Sequence, residues 1–183
     1  MEIGCGRGEL LEMLHISGYT NLKGFDPAAP VATDMISNAY WDGRVQGGAD
    51  LIIARNTIEE IPQQKAFVGF MAETLNEGGR IYCEITNASN LLNDKGVFSL
   101  YPEYSNLFSA LSLSRIYALN GLSVDKVTSI NEGELLAVWG RKTSSCDSVA
   151  SRLSDIYDKF LVEYEPEGFT KNQIAEGYEY IVN

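Results

Sequence analysis

The stretch "MEIGCGRGEL", residues 1–10, sets glycines at positions 4, 6 and 8 between Glu2 and Glu9. "MEIG" reads as the end of a strand. Behind it "GRGELLEMLHISG" places Leu10, Leu11, Met13 and Leu14 on one helical face before Gly18 stops the helix. Glycines at such a junction let the backbone turn sharply and bring bare peptide and free helix N–H groups to a ligand. The spacing is not G-x-G-x-x-G, because the third glycine of that pattern falls on Glu9, whose charge would face a pyrophosphate. The pattern is E-x-G-x-G-x-G, and Glu2 suits a ligand that carries positive charge. A tight turn with no ligand is the alternative.

Working outward, "NLKGFD" reads as a second strand that ends on Asp26, eighteen residues after Gly8. An acid there accepts hydrogen bonds from ribose hydroxyls in nucleotide-binding sheets generally, so Asp26 speaks for the fold more than for one cofactor. Residues 31–39 are expected to form a short helix. "ADLIIAR" (49–55) is a compact apolar strand of the buried, parallel kind. "QQKAFVGFMAETLNEGG" is expected to be helical after Pro62 and to end at Gly78-Gly79, followed by the strand "RIYCEIT". Residues 88–108 form an irregular insertion, and "SALSLSRIYALNG" resumes the helical order. "LSVDKVTSI" and "ELLAVWGRK", joined by Asn131-Glu132-Gly133, read as an antiparallel hairpin.

The length of 183 residues suits a domain at 1–143 with a helical extension at 144–183, where "SRLSDIYDKFLVEY" and "KNQIAEGYEYIV" are amphipathic. The net charge of −11 repels phosphate backbones and no Lys/Arg cluster interrupts it, so nucleic acid is not expected as a partner. A neutral or cationic small ligand is compatible. No apolar run reaches the ~20 residues of a membrane span, and no signal peptide is recognised. Three scattered cysteines and one histidine argue against a disulfide framework and a metal site, and a reducing, cytoplasmic setting is expected. His15 reads as a helix-end residue. Tyr19 and Lys23 have the Y-x-x-x-K spacing of short-chain reductases but precede the second strand, where that chemistry is not placed.

The opening motif resembles motif I of the class I S-adenosylmethionine-dependent methyltransferases. "GFDPAAP", "ADLIIARNTIEEIP", "GGRIYCEITNASNLL" and "YPEYSNLFS" follow in order. Together they resemble the bacterial C-methyltransferases that act on sugar nucleotides and the small-molecule methyltransferases close to them. The likeness runs from residue 1 to about 142. It implies an α/β, Rossmann-like class I methyltransferase fold: three layers, a mostly parallel sheet with an antiparallel last strand, and C-terminal helices. It further implies that Glu2, Gly4, Cys5, Gly6 and Gly8 hold the methionine portion of S-adenosylmethionine. Asp26 and Pro27 then hold the ribose, Tyr40 and Trp41 lie beside the adenine, and Arg55 and Asn56 close the pocket. Ordinary core packing is the alternative for Tyr40 and Trp41.

Histidines of that family fall at Glu60 and Tyr104 here. The groups left for acid–base work are Glu103, which matches the family glutamate and ranks first, with Tyr101, Tyr104 and Glu60. A solvated acid and half-buried tyrosines are the competing reading. The expected activity is methyl transfer to a small polar acceptor, for which a sugar derivative is a candidate, at carbon or oxygen; the alternative is a non-catalytic module of the same fold. Such enzymes carry helices before the first strand, and a strand at residue 1 or 2 suggests a curtailed gene model, a fragment or an open pocket.

Overall fold

The computed structural model describes residues 1–43, 48–91 and 101–143. In chain order the elements are β1 (Glu2–Ile3), α1 (Glu9–Ile16), β2 (Gly24–Phe25), β3 (Ile36–Ser37), β4 (Ala49–Arg55) and α2 (Gln64–Thr74). There follow β5 (Leu75–Thr86), the single turn α3 (Ala88–Asn90), α4 (Ala110–Leu119), β6 (Leu122–Ile130) and β7 (Leu135–Lys142). The strands form one sheet in the order β3-β2-β1-β4-β5-β7-β6. All neighbours are parallel except β7, which runs antiparallel to both β5 and β6. The chain therefore reverses its direction of winding between β1 and β4, and ligands of open α/β sheets bind outside the strand ends at such a switch point.

Strand β4 is apolar throughout its centre because both its faces are covered: Ile52, Ile53 and Ala54 are all buried. One face, through Ile52, Ile81, Ile85 and Val138, packs on Val68 and Met71 of α2 and on Leu113, Tyr117 and Ala118 of α4. Burying a side chain of this size stabilises by ~1.5–3 kcal/mol, so this layer holds most of the sheet. On the other face Leu11 of α1 packs with Cys5, Ala29 and Ile36. A Cβ placed on Gly24 would lie 2.4 Å from Leu11, so that strand needs glycine for α1 to seat. Helix α4 starts in a reciprocal cap, with Ser109 Oγ accepting from Ser112 N and Ser112 Oγ accepting from Ser109 N.

Three expectations are corrected. Residues 31–39 hold no helix. Thr33 Oγ1 accepts from Met35 N and Ile36 N, and β3 then pairs in parallel with β2, which gives the segment more backbone bonds than one isolated turn would. Helix α2 stops at Thr74, four residues before Gly78, because Leu75 already pairs with Ala49 and is drawn into β5. Only Leu11 of the proposed apolar face of α1 is buried, and Met13 is exposed, since the helix rests on the sheet along a narrow line. The expected helices of residues 144–183, and the part of the insertion at 92–100, lie outside the described residues.

Candidate functional site

The loop between β1 and α1 is built on positive φ angles of 70° at Gly4, 55° at Gly6 and 81° at Gly8. L-residues avoid that region, so the glycines are required by the path itself. Gly4 N and Cys5 N donate to Phe25 O, and Gly8 N donates to Cys5 O, which folds the loop over the end of β2. Asp26 closes it: Oδ2 accepts from Gly6 N at 2.8 Å and Oδ1 from Ala28 N at 2.7 Å. A Cβ at Gly4 would strike Thr57 Oγ1 and one at Gly8 would strike Ile36, but one at Gly6 meets nothing within 4 Å. The side-chain position of Gly6 thus faces open space, while its N–H is held by Asp26.

Side chains around the loop divide into two groups. Cys5 is buried against the α1 layer, and burial, then the charges of Glu2 and Asp26, push its thiol up to about 11. Its Sγ donates weakly to Gly6 O at 3.9 Å, so the thiol is turned to the loop's own backbone. Glu2 is fully buried, and its Oε1 accepts from Arg55 Nη2 at 2.8 Å and Nε at 3.0 Å. Its Oε2 is buried with no hydrogen-bond partner. Burial raises the Glu2 carboxyl from its ordinary value, and Arg55 opposes the rise. Asn56, at the end of β4, holds φ +47° and is exposed, as is Pro27. Tyr40 projects into solvent, whereas Trp41 meets Phe67 edge-on at 5.8 Å and joins the core under α2. Trp41 Nε1 is buried without a hydrogen-bond partner.

Beyond Asn56 lies a cleft of about 530 Å³. It is lined from four segments: Asn56 and Glu60 after β4, Thr86 at the end of β5, Tyr101, Glu103 and Tyr104 of the insertion, and Asn131, Glu134 and Leu135 of the hairpin. All four acid–base candidates therefore meet in one place. Burial raises the Glu60 carboxyl, with repulsion from Glu103 and then Asp26 adding to the rise, so the cleft adjoins the glycine loop electrostatically. Tyr104 Oη and Thr86 Oγ1 share a hydrogen bond of 2.9 Å, and the rings of Tyr101 and Tyr104 pack edge-to-face at 5.5 Å.

The wall depends on a residue that sequence reasoning left without a role. Glu59 is fully buried, its Oε1 accepts from Thr86 N at 2.8 Å, and its carbonyl accepts from Ser105 N and Asn106 N. It ties the turn Ile58–Glu60 to β5 and to the insertion. Oε2 has no partner, and burial raises the carboxyl while the Thr86 N–H works against the rise. Glu59 and Glu60 are adjacent identical residues, and only the direction of one short turn sends one inward and the other into the cleft. Thr86, Asn131 and Glu134 were also missed. The hairpin was visible, and its turn had to lie beside the end of β5 once β7 ran antiparallel to that strand.

Among the described residues no three His, Cys, Asp or Glu side chains are placed to hold a metal ion, and no helix is long and apolar enough to cross a membrane. His15 is exposed in the last turn of α1.

Residues 1–127 match the family model described as a methyltransferase domain. The chain belongs to that family. A search of curated proteins returns no match. Solved methyltransferases share the fold. A chain of the complex between the Haloferax volcanii Trm112 methyltransferase activator and a methyltransferase superposes with a TM-score of 0.63 at 15% identity, over 78% of this chain and 81% of that one. The plantazolicin methyltransferase BpumL, solved with a triazolic desmethylPZN analog and SAH, gives 0.60 at 13% identity, over 78% and 76%. Magnesium protoporphyrin IX methyltransferase from Synechocystis, solved with SAH, gives 0.58 at 15% identity, over 78% and 73%. The class I methyltransferase fold expected from the sequence is the fold observed, and the cofactor expected from the glycine loop agrees with the SAH held by BpumL and the SAM or SAH held by the Synechocystis enzyme.

Proposed function

We propose that this methyltransferase domain transfers a methyl group from S-adenosylmethionine to a small polar acceptor, with a sugar derivative methylated at carbon or oxygen as the class the sequence resemblance favours. The observation that carries the reading is the open side-chain position of Gly6 beside the Asp26 carboxylate at the switch point of the sheet.

The residues present fit the cofactor. Glu2 Oε2, a buried carboxylate oxygen without a partner, is an acceptor left for an ammonium, and the loop leaves room for an amino-acid end at Gly6, where nothing lies within 4 Å. Both Asp26 oxygens already accept one amide each, but a carboxylate has about four acceptor positions, so ribose hydroxyls can add to them. Pro27 borders that position, Tyr40 is the aromatic free to cover an adenine, and Arg55 and Asn56 close the floor. Cys5 contributes through its backbone.

S-adenosylmethionine supplies an electrophilic methyl; the protein supplies position and proton management. Holding an acceptor in the cleft at near-attack distance is worth ~7–11 kcal/mol of the barrier. Glu103 is the first candidate for the base, because it is exposed in the cleft wall beside Tyr101, and a positioned base contributes about 10²–10⁴-fold. Burial chiefly raises both Glu60 and Tyr104 above their ordinary values, which makes Glu60 a stronger proton acceptor, second to Glu103, and keeps the Tyr104 hydroxyl a hydrogen-bond donor.

Isothermal titration with S-adenosylmethionine and with NAD tests the cofactor. Binding of the former alone is expected, and binding of NAD alone would end the proposal. Incubation with labelled donor and an acceptor library should then show turnover that Glu103→Gln lowers at least a hundredfold. Turnover that survives the substitution exonerates Glu103 as the base.

A further inference from the structure

We propose that the cleft beside the glycine loop selects an acceptor bearing a protonated amine on a small hydroxylated body and turns away phosphorylated or carboxylated molecules, a specificity that rests on the methyltransferase reading above. Three carboxylates, those of Glu60, Glu103 and Glu134, reach a space of about 530 Å³, and its described lining holds no lysine or arginine. The nearest guanidinium on the preceding strand, Arg55, is committed to Glu2 through two hydrogen bonds. Asn131 Nδ2 donates to Glu134 Oε2, which orients that acid without neutralising it.

The acids feel one another. Repulsion from Glu103 and Asp26 is part of what holds the Glu60 carboxyl above its ordinary value, so the cleft carries a negative potential that no lysine or arginine of its described lining offsets. An apolar wall behind charged groups strengthens the field in front of it. An ammonium entering here relieves the repulsion, while a phosphate meets like charge from three of the nine described lining residues and a cation from none of them.

The uncharged groups complete the selection. The exposed Tyr101 ring, packed edge-to-face with Tyr104, lines the cleft and is an aromatic surface on which a cation can rest. Asn56, Thr86 and Asn131 offer neutral donors and acceptors of the kind that hydroxyls require.

The test uses the full 183-residue chain without cofactor, with glucosamine, glucose and glucose 6-phosphate as probes, by titration calorimetry and saturation-transfer NMR. Glucosamine is expected to bind about tenfold more tightly than glucose and glucose 6-phosphate not to bind measurably, the preference shrinking severalfold between about 0.05 and 0.3 M NaCl. Glu60→Gln and Glu103→Gln should each weaken glucosamine by about threefold or more, and Glu77→Gln, at the opposite end of β5, should not. Thermal unfolding checks that the variants remain folded. Equal binding of the three probes, preference for the phosphate, or no binding of glucosamine overturns the inference. S-adenosylmethionine is titrated separately. If it binds while glucosamine fails, only the acceptor class falls; if it fails while glucosamine passes, the donor assignment falls and the amine site stands.

Discussion

A methyl group added at Gly4 and one added at Gly6 meet different surroundings, and the difference separates folding from binding within one loop. At Gly4, φ is +70° and the new Cβ would lie 2.1 Å from Thr57 Oγ1, which itself donates to Ile3 O and Arg55 O. Backbone strain of ~1–2 kcal/mol and the loss of a hydrogen bond or two at ~1 kcal/mol each predict a loss of about 2–4 kcal/mol for Gly4→Ala. At Gly6, φ is +55° but nothing lies within 4 Å. Gly6→Ala should therefore cost only the strain, about 1 kcal/mol, while its methyl occupies the ligand's side of the loop and weakens S-adenosylmethionine by at least about tenfold. Urea unfolding and titration calorimetry on the two variants check both halves; a Gly6→Ala protein that binds normally removes the loop from the site. These roles were legible in the sequence because only glycine satisfies such turns, and Asp26 was legible from its distance to them. Glu59 was not, since its role comes from the Thr86, Ser105 and Asn106 amides that long-range folding delivers to it.

Elements announce themselves in sequence when their own residues decide them. Strand β4 matches "ADLIIAR" residue for residue, and the hairpin and α4 fall within a residue or so of their expected limits. Strand β3 has two residues and exists by pairing with β2, so its sequence alone carries too little signal. The end of α2 was misread for a similar reason: glycines at 78 and 79 look like a helix stop, but the pairing of Leu75 with Ala49 acts first. The hairpin turn offers a prediction at this scale. Glu134 N closes the turn on Asn131 O, and its central residues Glu132 and Gly133 hold φ of 56° and 96°, the tight-turn geometry that favours Asn-Gly. Glu132 is exposed and takes that conformation against its preference. Glu132→Gly should stabilise the protein by about 0.5–1 kcal/mol, the relief of strain exceeding the added freedom of the unfolded chain. Thermal unfolding reads the change, and an unchanged or lower midpoint would show that the turn is not strained.

Across the whole molecule the site sits where the sheet changes winding direction, and that location concentrates acids whose cost appears in global stability. Glu2 and Glu59 are fully buried, each has one oxygen without a partner, and each carboxyl is raised by burial above its ordinary value of 4.5. Glu2 has a guanidinium, Arg55, to offset its charge, whereas Glu59 has neutral donors only, the Thr86 amide first, so Glu59 is the cleaner probe. A carboxyl raised on folding holds its proton in the native state after the unfolded chain has released it. The folded state then binds more protons, and unfolding free energy falls as pH rises from about 4.5 until the buried group ionises. Glu59→Gln keeps an oxygen for Thr86 N and removes the titration. The stability of the natural protein minus that of Glu59→Gln should therefore decline with pH above about 5, at a slope no steeper than ~1.4 kcal/mol per pH unit, and level off at higher pH. Subtraction cancels the other acids and the self-repulsion of a chain at −11 net charge. Urea unfolding at pH 5, 6, 7 and 8 measures it. A difference that grows with pH would mean that Glu59 is an ionised, stabilised carboxylate, and the wall of the cleft would then owe its shape to a charge rather than to a buried acid.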